Sequence, residues 1–343
     1  MRNIFYIINK FLFKKGNIFL IFFLVFYFLS RLNSSIYFID IFNQLSFQIL
    51  LGGTILLFIL FFLKKFWASL ICSTICVLLA INILPTCKHC NALLKDEEKN
   101  YNKIRLMTFN TSYGIDKSLP RWFLYLENTL IKNKRSQLNV LEDLEDLYEV
   151  ILIENPDIIQ FQEVTPLVKY KLKSLKSIFP YSISLNKFVG IAESIVFSKY
   201  PLKKNKNSDF NNVLIKIIID ETELNFLSVH LYSGINQNRF NLADKQIQII
   251  KNLIKDNRKN IILMGDLNMT PISKRFINFL NEVNLYTYTS FLNPTMTWPA
   301  FLPNYLGIQI DHVLFSKNFK MINKKTTKSL GSDHRPLIVD LAF

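Results

Sequence analysis

Hydrophobic and polar positions follow two different rhythms along this chain. Up to about residue 85 the apolar positions form long unbroken runs, and beyond about residue 104 they form short blocks set apart by polar stretches. Three long runs can be read, at about 11–29, 41–63 and 66–84. A helix that crosses a bilayer needs ~20 mainly apolar residues, which the second and third runs supply. The first is shorter, because Lys14, Lys15 and Arg31 bracket 15 uncharged residues. It reads as a retained helix or as a secretory signal, and the poor cleavage sequence Ser30-Arg31-Leu32 favours the helix. Arg2, Lys10, Lys14 and Lys15 precede run one, and Lys64 and Lys65 separate runs two and three. Basic residues stay on the cytoplasmic side, so the pattern predicts three transmembrane helices with the remainder of the chain outside the cytoplasmic membrane.

From residue 104 the short blocks predict alternating strands and helices. Strands are expected at 104–109, ending in Asn110, and at 157–162, running into Glu163. Between them Leu138, Leu141, Leu144, Leu147 and Ile151 recur at helical spacing, which predicts a helix over 137–155 stopped by Asn155-Pro156. Further strands are expected at 195–197, 213–219, 224–229, 261–264, 310–315 and 337–341, with a second helix at 239–253. The alternation is irregular and contains hairpin-like pairs. That predicts an α/β layered sandwich rather than a simple parallel doubly wound sheet. The domain boundaries read as a helical region over 1–86, a charged linker over 87–102 and a folded domain over 103–343.

Composition changes the picture only once it is divided the same way. The 343 residues are 50% hydrophobic with a net charge of +15, which excludes a disordered chain and invites a nucleic-acid binder. Residues 1–85 hold 7 of the basic residues, one acid (Asp40) and 15 of the 31 Phe. The other 258 residues carry 34 basic and 25 acidic groups, or +9. The apolar excess therefore belongs to the N-terminal quarter, and the rest has the balance of an ordinary, mildly basic domain. Cys72 and Cys76 lie within run three and read as packing residues. Cys87 and Cys90 read as a local disulfide or as two free thiols, since one nearby His does not complete a zinc site.

The candidate chemistry sits where polar groups interrupt the strand pattern. These are Asn110, Glu163, His230, Asp266 with Asn268, Asp311 with His312, and Asp333 with His334. Three of the four His in the chain belong to this set, two of them directly after an Asp. Strand ends that converge on one rim are where sites form in layered folds.

The segments Leu106–Asn110, Ile159–Val164, Ser228–Leu231, Met264–Asn268, Ile310–Val313 and Gly331–Leu337 resemble the ordered motifs of the endonuclease/exonuclease/phosphatase superfamily over about 103–343. Ser198–Leu202 is similar to a further element of that family. Thr297-Trp298-Pro299 and the N-terminal runs resemble its membrane-attached bacterial branch. The resemblance implies a four-layer α/β sandwich, two packed mixed sheets flanked by helices, and a divalent-metal phosphodiesterase or phosphomonoesterase. Glu163, Asn110 and Asp333 are then the metal ligands for Mg²⁺ or Mn²⁺. Asp266 orients or deprotonates water, Asn268 bonds the phosphate, and His334 contacts it with Asp311 fixing the His334 tautomer. His230 is the leaving-group acid with Glu193 as its carboxylate partner, Ser332 shapes a turn, and His312 faces away from the site.

The substrate stays open between a phospholipid head group, a nucleotide and a nucleic acid. A nuclease is supported by the +9 charge, but the Lys residues are dispersed. Phe161 and Trp298 could stack on a base, or pack in the core. A membrane-tethered binding protein without catalysis is the reading from another class. It is disfavoured because none of Glu163, Asp266, Asn268, Asp311, Asp333 or His334 is replaced. The apolar, Pro-rich stretch 291–306 could cover the site, dip into a lipid surface or simply pack.

Overall fold

The computed structural model describes residues 2–32, 35–83, 101–112, 139–187, 193–204, 213–257, 259–289 and 295–343. Cys87, Cys90, nearly all of the predicted linker and the loops over 113–138 and 205–212 lie outside the described residues. The chain divides into two compact units. The first is Met1–Lys88 with Gly234–Asn241 and Met269–Phe279, and the second is His89–Ser233, Leu242–Asn268 and Leu280–Phe343.

The first unit contains helices α1 (Arg2–Arg31), α2 (Tyr37–Gln44), α3 (Ser46–Phe62) and α4 (Phe66–Ile83). Leu20, Phe23, Leu56, Leu60, Cys72, Cys76 and Leu79 form its apolar centre, so both cysteines are packing residues. Gly53 lets α1 and α3 approach closely, since a Cβ there would lie 2.3 Å from the Phe23 ring. The outward faces are also apolar: Phe28, Phe58, Phe61, Phe62 and Trp67 are all exposed. The second predicted run is a bent pair rather than one rod, because α2 and α3 meet at 61°. Polar side chains make that break. Asn43 donates to the Leu32 and Ile39 carbonyls, and the Ser46 hydroxyl donates to the Asn43 carbonyl, in competition with the helical ladder. No single helix among the described residues is long and apolar enough to cross a membrane, whereas α2 and α3 together meet the length and composition required.

The second unit is built on two mixed sheets. One orders its strands β10-β11-β1-β2-β4-β3 and the other β5-β6-β7-β8-β9. The strands of the first are β1 (Lys103–Asn110), β2 (Ile158–Val164), β3 (Tyr181–Lys187), β4 (Glu193–Ser198), β10 (Lys320–Thr326) and β11 (Leu337–Ala342). Those of the second are β5 (Leu202–Lys204), β6 (Val213–Ile219), β7 (Thr222–His230), β8 (Ile261–Asp266) and β9 (Asp311–Phe315). Among the described residues only β1–β2 and β7–β8 are parallel. Side chains alternate between the faces of a strand. Ile104 and Leu106 of β1 therefore join the core between the sheets with Ile215, Phe226, Ile262 and Val313. Met107 and Phe109 turn outward, under helices α5 (Asn139–Glu154) and α6 (Pro166–Lys171). The second sheet carries α7 (Gln237–Asp256), whose Gln246 accepts from Tyr232 N–H and donates to the His230 carbonyl. Helix α8 (Lys274–Val283) follows β8 in the chain, its residues up to Phe279 belonging to the first unit and those from Leu280 to the second. The result is an α/β sandwich of two mixed sheets with helices. Phe161 is fully buried between Phe109 and Phe197 in the outer core of the first sheet, so it cannot stack on a base.

Candidate active site

Backbone register brings the polar positions together. In the second sheet His230 lies beside Asp266 across the parallel β7–β8 pair, and Asp266 lies opposite Asp311 across β8–β9. Three strands thus place three functional residues in one row. In the first sheet Asn110 pairs with Gln162 at the end of β1–β2. A register shift between Phe161 and Val164 then bulges β2 and puts Glu163 at φ 55°. Bulges next to sites re-aim side chains, and here the bulge brings Glu163 to Asn110 and His230. The turn Gly331–Arg335 before β11 supplies the rest. Ser332 shapes it, donating to the Asn110 carbonyl and accepting from His334 N–H.

Gly265 allows this row to form. Its φ is 140°, and a Cβ there would sit 1.9 Å from the Val229 carbonyl oxygen. Only glycine adopts such a conformation readily. Asn268 follows at φ 49°, its N–H donating to Asp266 Oδ1 and its side chain to the Leu231 carbonyl. Backbone strain of this kind clusters at functional sites.

The contacts are close. Asn110 Nδ2 lies 3.1 Å from Asp266 Oδ2 and 3.3 Å from Glu163 Oε1, while its Oδ1 accepts from Ser112 N–H. Its amino end therefore faces the carboxylates, and Asn110 orients them as a donor. His230 Nε2 is 3.5 Å from Glu163 Oε1 and 3.8 Å from Asp266 Oδ2. His334 Nδ1 is 2.9 Å from Asp311 Oδ2, leaving its Nε2 3.9 Å from Asp266 and 4.0 Å from Asp333. Glu193 is elsewhere engaged: it pairs with Lys169 at 2.6 Å and accepts from Ser184. The carboxylates beside His230 are Glu163 and Asp266 instead. His312 turns to the Gln309 amide, 3.2 Å away.

Burial sets the protonation. It pushes the Asp266 carboxyl up to about 8, with Asp311 opposite adding to the effect. Burial also raises Glu163. For His334 burial opposes the charge, but Asp311, Asp333 and Asp266 outweigh it and bring the imidazole to about 10. Burial, then His334, hold His230 down to about 3.

The residues fit a divalent cation. Four carboxylates converge here, and among the described residues no Lys or Arg pairs with Glu163, Asp266, Asp311 or Asp333. Oδ1 of Asp311 and Oδ1 of Asp333 are buried without a hydrogen-bond partner. Ligand atoms of Asp266, Asp311 and His334 lie within 4.8 Å of one another. Hard oxygen donors of this kind suit Mg²⁺ or Mn²⁺. Within that triad His334 Nδ1 is already committed to Asp311, so Glu163 and Asp333 offer the freer oxygens.

One contact escaped the sequence reading. Trp298 Nε1 donates to Asp333 Oδ2 at 3.0 Å, which fixes the carboxylate and leaves its other oxygen to the site. The Thr297-Trp298-Pro299 stretch was visible in the sequence, but nothing in it indicates which carboxylate the indole meets.

Comparison with known proteins finds similar structures and a matching family. An endonuclease/exonuclease/phosphatase family protein from Bacteroides thetaiotaomicron superposes with a TM-score of 0.50 at 14% identity, covering 71% of this chain and 99% of that one. A beta toxin from Staphylococcus aureus with bound magnesium ions gives 0.48 at 16% identity, covering 69% and 99%. TDP2 from D. rerio complexed with a single strand DNA product gives 0.48 at 15%, covering 70% and 98%. No curated protein sequence matches the chain. The sequence model described as Endonuclease/Exonuclease/phosphatase family matches residues 107–334, about two thirds of the chain. The chain therefore belongs to the endonuclease/exonuclease/phosphatase family, and it is a metal-dependent hydrolase of phosphoester bonds.

Proposed function

We propose that the protein is a membrane-anchored phosphoesterase that cleaves a phosphodiester or phosphomonoester by attack of water, with its catalytic unit outside the cytoplasmic membrane. The observation that carries the chemistry is the group of two buried carboxylates (Asp266, Asp311), two half-buried ones (Glu163, Asp333) and two buried imidazoles, with no Lys or Arg counter-charge among the described residues. Glu163 and Asp333 would hold Mg²⁺ or Mn²⁺, with Asn110 adjoining. A divalent ion held there would supply positive charge that favours the ionised Asp266 carboxyl and offsets the charge of the phosphate group. Asp266, once deprotonated, orients water and takes its proton, and the Asn268 backbone bond fixes its Oδ1 for that purpose. His334, charged and held by Asp311, binds the phosphate through Nε2. His230, neutral at rest, lies beside Asp266 and Glu163, where it can take up the proton that Asp266 removes from water and pass it toward the leaving oxygen.

Anchoring is supported by the exposed apolar faces of α1, α3 and α4, and by the α2–α3 pair. Orientation is supported by Lys64 and Lys65 between α3 and α4. The test is the full chain in detergent with Mg²⁺, assayed on vesicle phospholipids, nucleotides and DNA. Hydrolysis of one class, abolished by EDTA and lowered roughly 10²–10⁴-fold by His334→Ala, is the expected outcome. Undiminished turnover in His334→Ala would overturn the assignment.

A further inference from the structure

Four exposed apolar side chains crowd into nine positions beside the site: Trp298 (36% exposed), Phe301 (45%), Tyr305 (61%) and Leu306 (36%). Elsewhere in the described part of this unit such residues are scattered singly or as one adjacent pair, as at Tyr170, Tyr181, Ile218 and Leu152–Ile153. Scattered examples need no explanation, whereas a contiguous patch marks an interaction surface.

The patch is rigidly tied to the catalytic turn. Ala300 N–H donates to the Asp333 carbonyl at 2.7 Å, and Arg335 N–H donates to the Thr297 carbonyl at 2.8 Å. The Arg335 guanidinium donates to the Ala300 and Leu302 carbonyls, both at 2.7 Å. Trp298 and Ile308 exchange both backbone hydrogen bonds, closing the base of the loop. The segment is therefore held to the catalytic turn through its backbone while Trp298, Phe301, Tyr305 and Leu306 stay exposed.

Charge decides the partner. The sequence has no Lys, Arg, His, Asp or Glu from 283 to 310, a stretch of 28 residues. A surface for nucleic acid needs Lys or Arg against the phosphate backbone; this stretch has none of its own, and the guanidinium that meets it, Arg335, donates inward to the Ala300 and Leu302 carbonyls. Trp and Tyr, with apolar bodies and polar edges, settle at the boundary between lipid tails and head groups.

We infer that the loop around Trp298, Phe301, Tyr305 and Leu306 dips into the interfacial layer of a phospholipid bilayer and thereby presents the active site to that surface. The contact is apolar, so it persists at high salt. The inference rests on the phosphoesterase reading only for what the site then does, not for the surface itself.

The test uses the full chain mixed with phosphatidylcholine vesicles in a dialysable detergent that is then removed. Some vesicles carry bromines near the glycerol region, which quench Trp emission on contact. Emission from Trp298 is taken as the difference between the natural chain and Trp298→Phe. Tyr305→Trp adds a second reporter that does not touch Asp333. At least half of each signal should be quenched by brominated lipid, equally at 0.1 and 1 M salt, and be shielded from aqueous iodide. Phe301→Asp with Leu306→Asp should restore iodide quenching while hydrolysis of soluble bis-p-nitrophenyl phosphate stays unchanged. Emission that brominated lipid leaves intact, or that responds to single-stranded oligonucleotide instead, overturns the inference. Absence of hydrolysis with lipid quenching intact would count against the phosphoesterase reading alone.

Discussion

A single missing Cβ at position 265 decides whether His230, Asp266 and Asp311 share a row. The site chain leaves no space there, with the Val229 carbonyl 1.9 Å from where a methyl would be. Gly265→Ala should therefore destabilise the second unit by about 3 kcal/mol or more, combining φ strain with a backbone clash. A melting temperature within a degree of the natural protein would contradict that. Protonation at the site is legible in a second measurement. In EDTA, Asp266 gives stability that is complete below its ordinary 3.8 and is lost as pH rises through about 8. His334 does the same between 6.5 and about 10. His230, held down to about 3, loses its contribution only as pH falls below 6.5, so it is silent above neutrality. The melting temperature of the metal-free protein should then fall from pH 7 to 9.5. Mg²⁺ should narrow the fall, because a cation favours the ionised carboxylate. A flat profile in EDTA would show that these groups do not hold their protons. The identities of the site residues were legible in the sequence, since carboxylates and imidazoles interrupt apolar strands. Their partnerships were less so. Glu193 and His230 both lie at strand ends, yet only the three-dimensional register shows that Lys169 and Ser184 occupy Glu193.

At the level of the element, legibility followed burial. Strands β1, β2, β6 and β8 are buried along nearly their whole length and were read from their apolar blocks. Strand β10 is an edge strand with Met321 as its one buried residue and Lys324 and Lys325 in its second half. Lysines protect such edges from pairing with other chains, and they also erase the apolar signature. Strand β3 is an edge strand too, with little buried surface, and β5 spans only three residues. Helix α8 is a different case: Phe276, Phe279 and Leu280 recur at helical spacing, but over ten residues only, a span short enough to pass for a loop between β8 and β9. The bend between α2 and α3 was hidden because Asn43 and Ser46 look tolerable inside an apolar run until their side chains find backbone carbonyls. The buried layers predict a plain cost. Phe161→Ala removes a fully buried ring that meets Phe109 and Phe197 edge-on, and should destabilise by about 3–5 kcal/mol in chemical denaturation. A loss below 1 kcal/mol would mean the outer core refills the cavity.

For the molecule as a whole, charge and apolarity are divided between the two functions proposed for it. The first 85 residues hold 15 of the 31 Phe, and the second unit holds the acids that matter. If the helices anchor the chain, the full-length protein should float with vesicles through a density gradient in 1 M salt and at alkaline pH. Recovery in the soluble fraction under those conditions would remove the anchor from the proposal. The row of His230, Asp266 and Asp311 has a consequence for how the protein comes to life. Each residue sits on a different strand, and one of the two pairings that align them is parallel, so it joins segments more than thirty residues apart. Pairings this distant form late, since loop closure must precede them. Activity is then a clock for the last stage of folding: after dilution from denaturant, it should return more slowly than helical circular dichroism, and a nascent chain released before β9 is complete has all of its catalytic base and none of its catalysis.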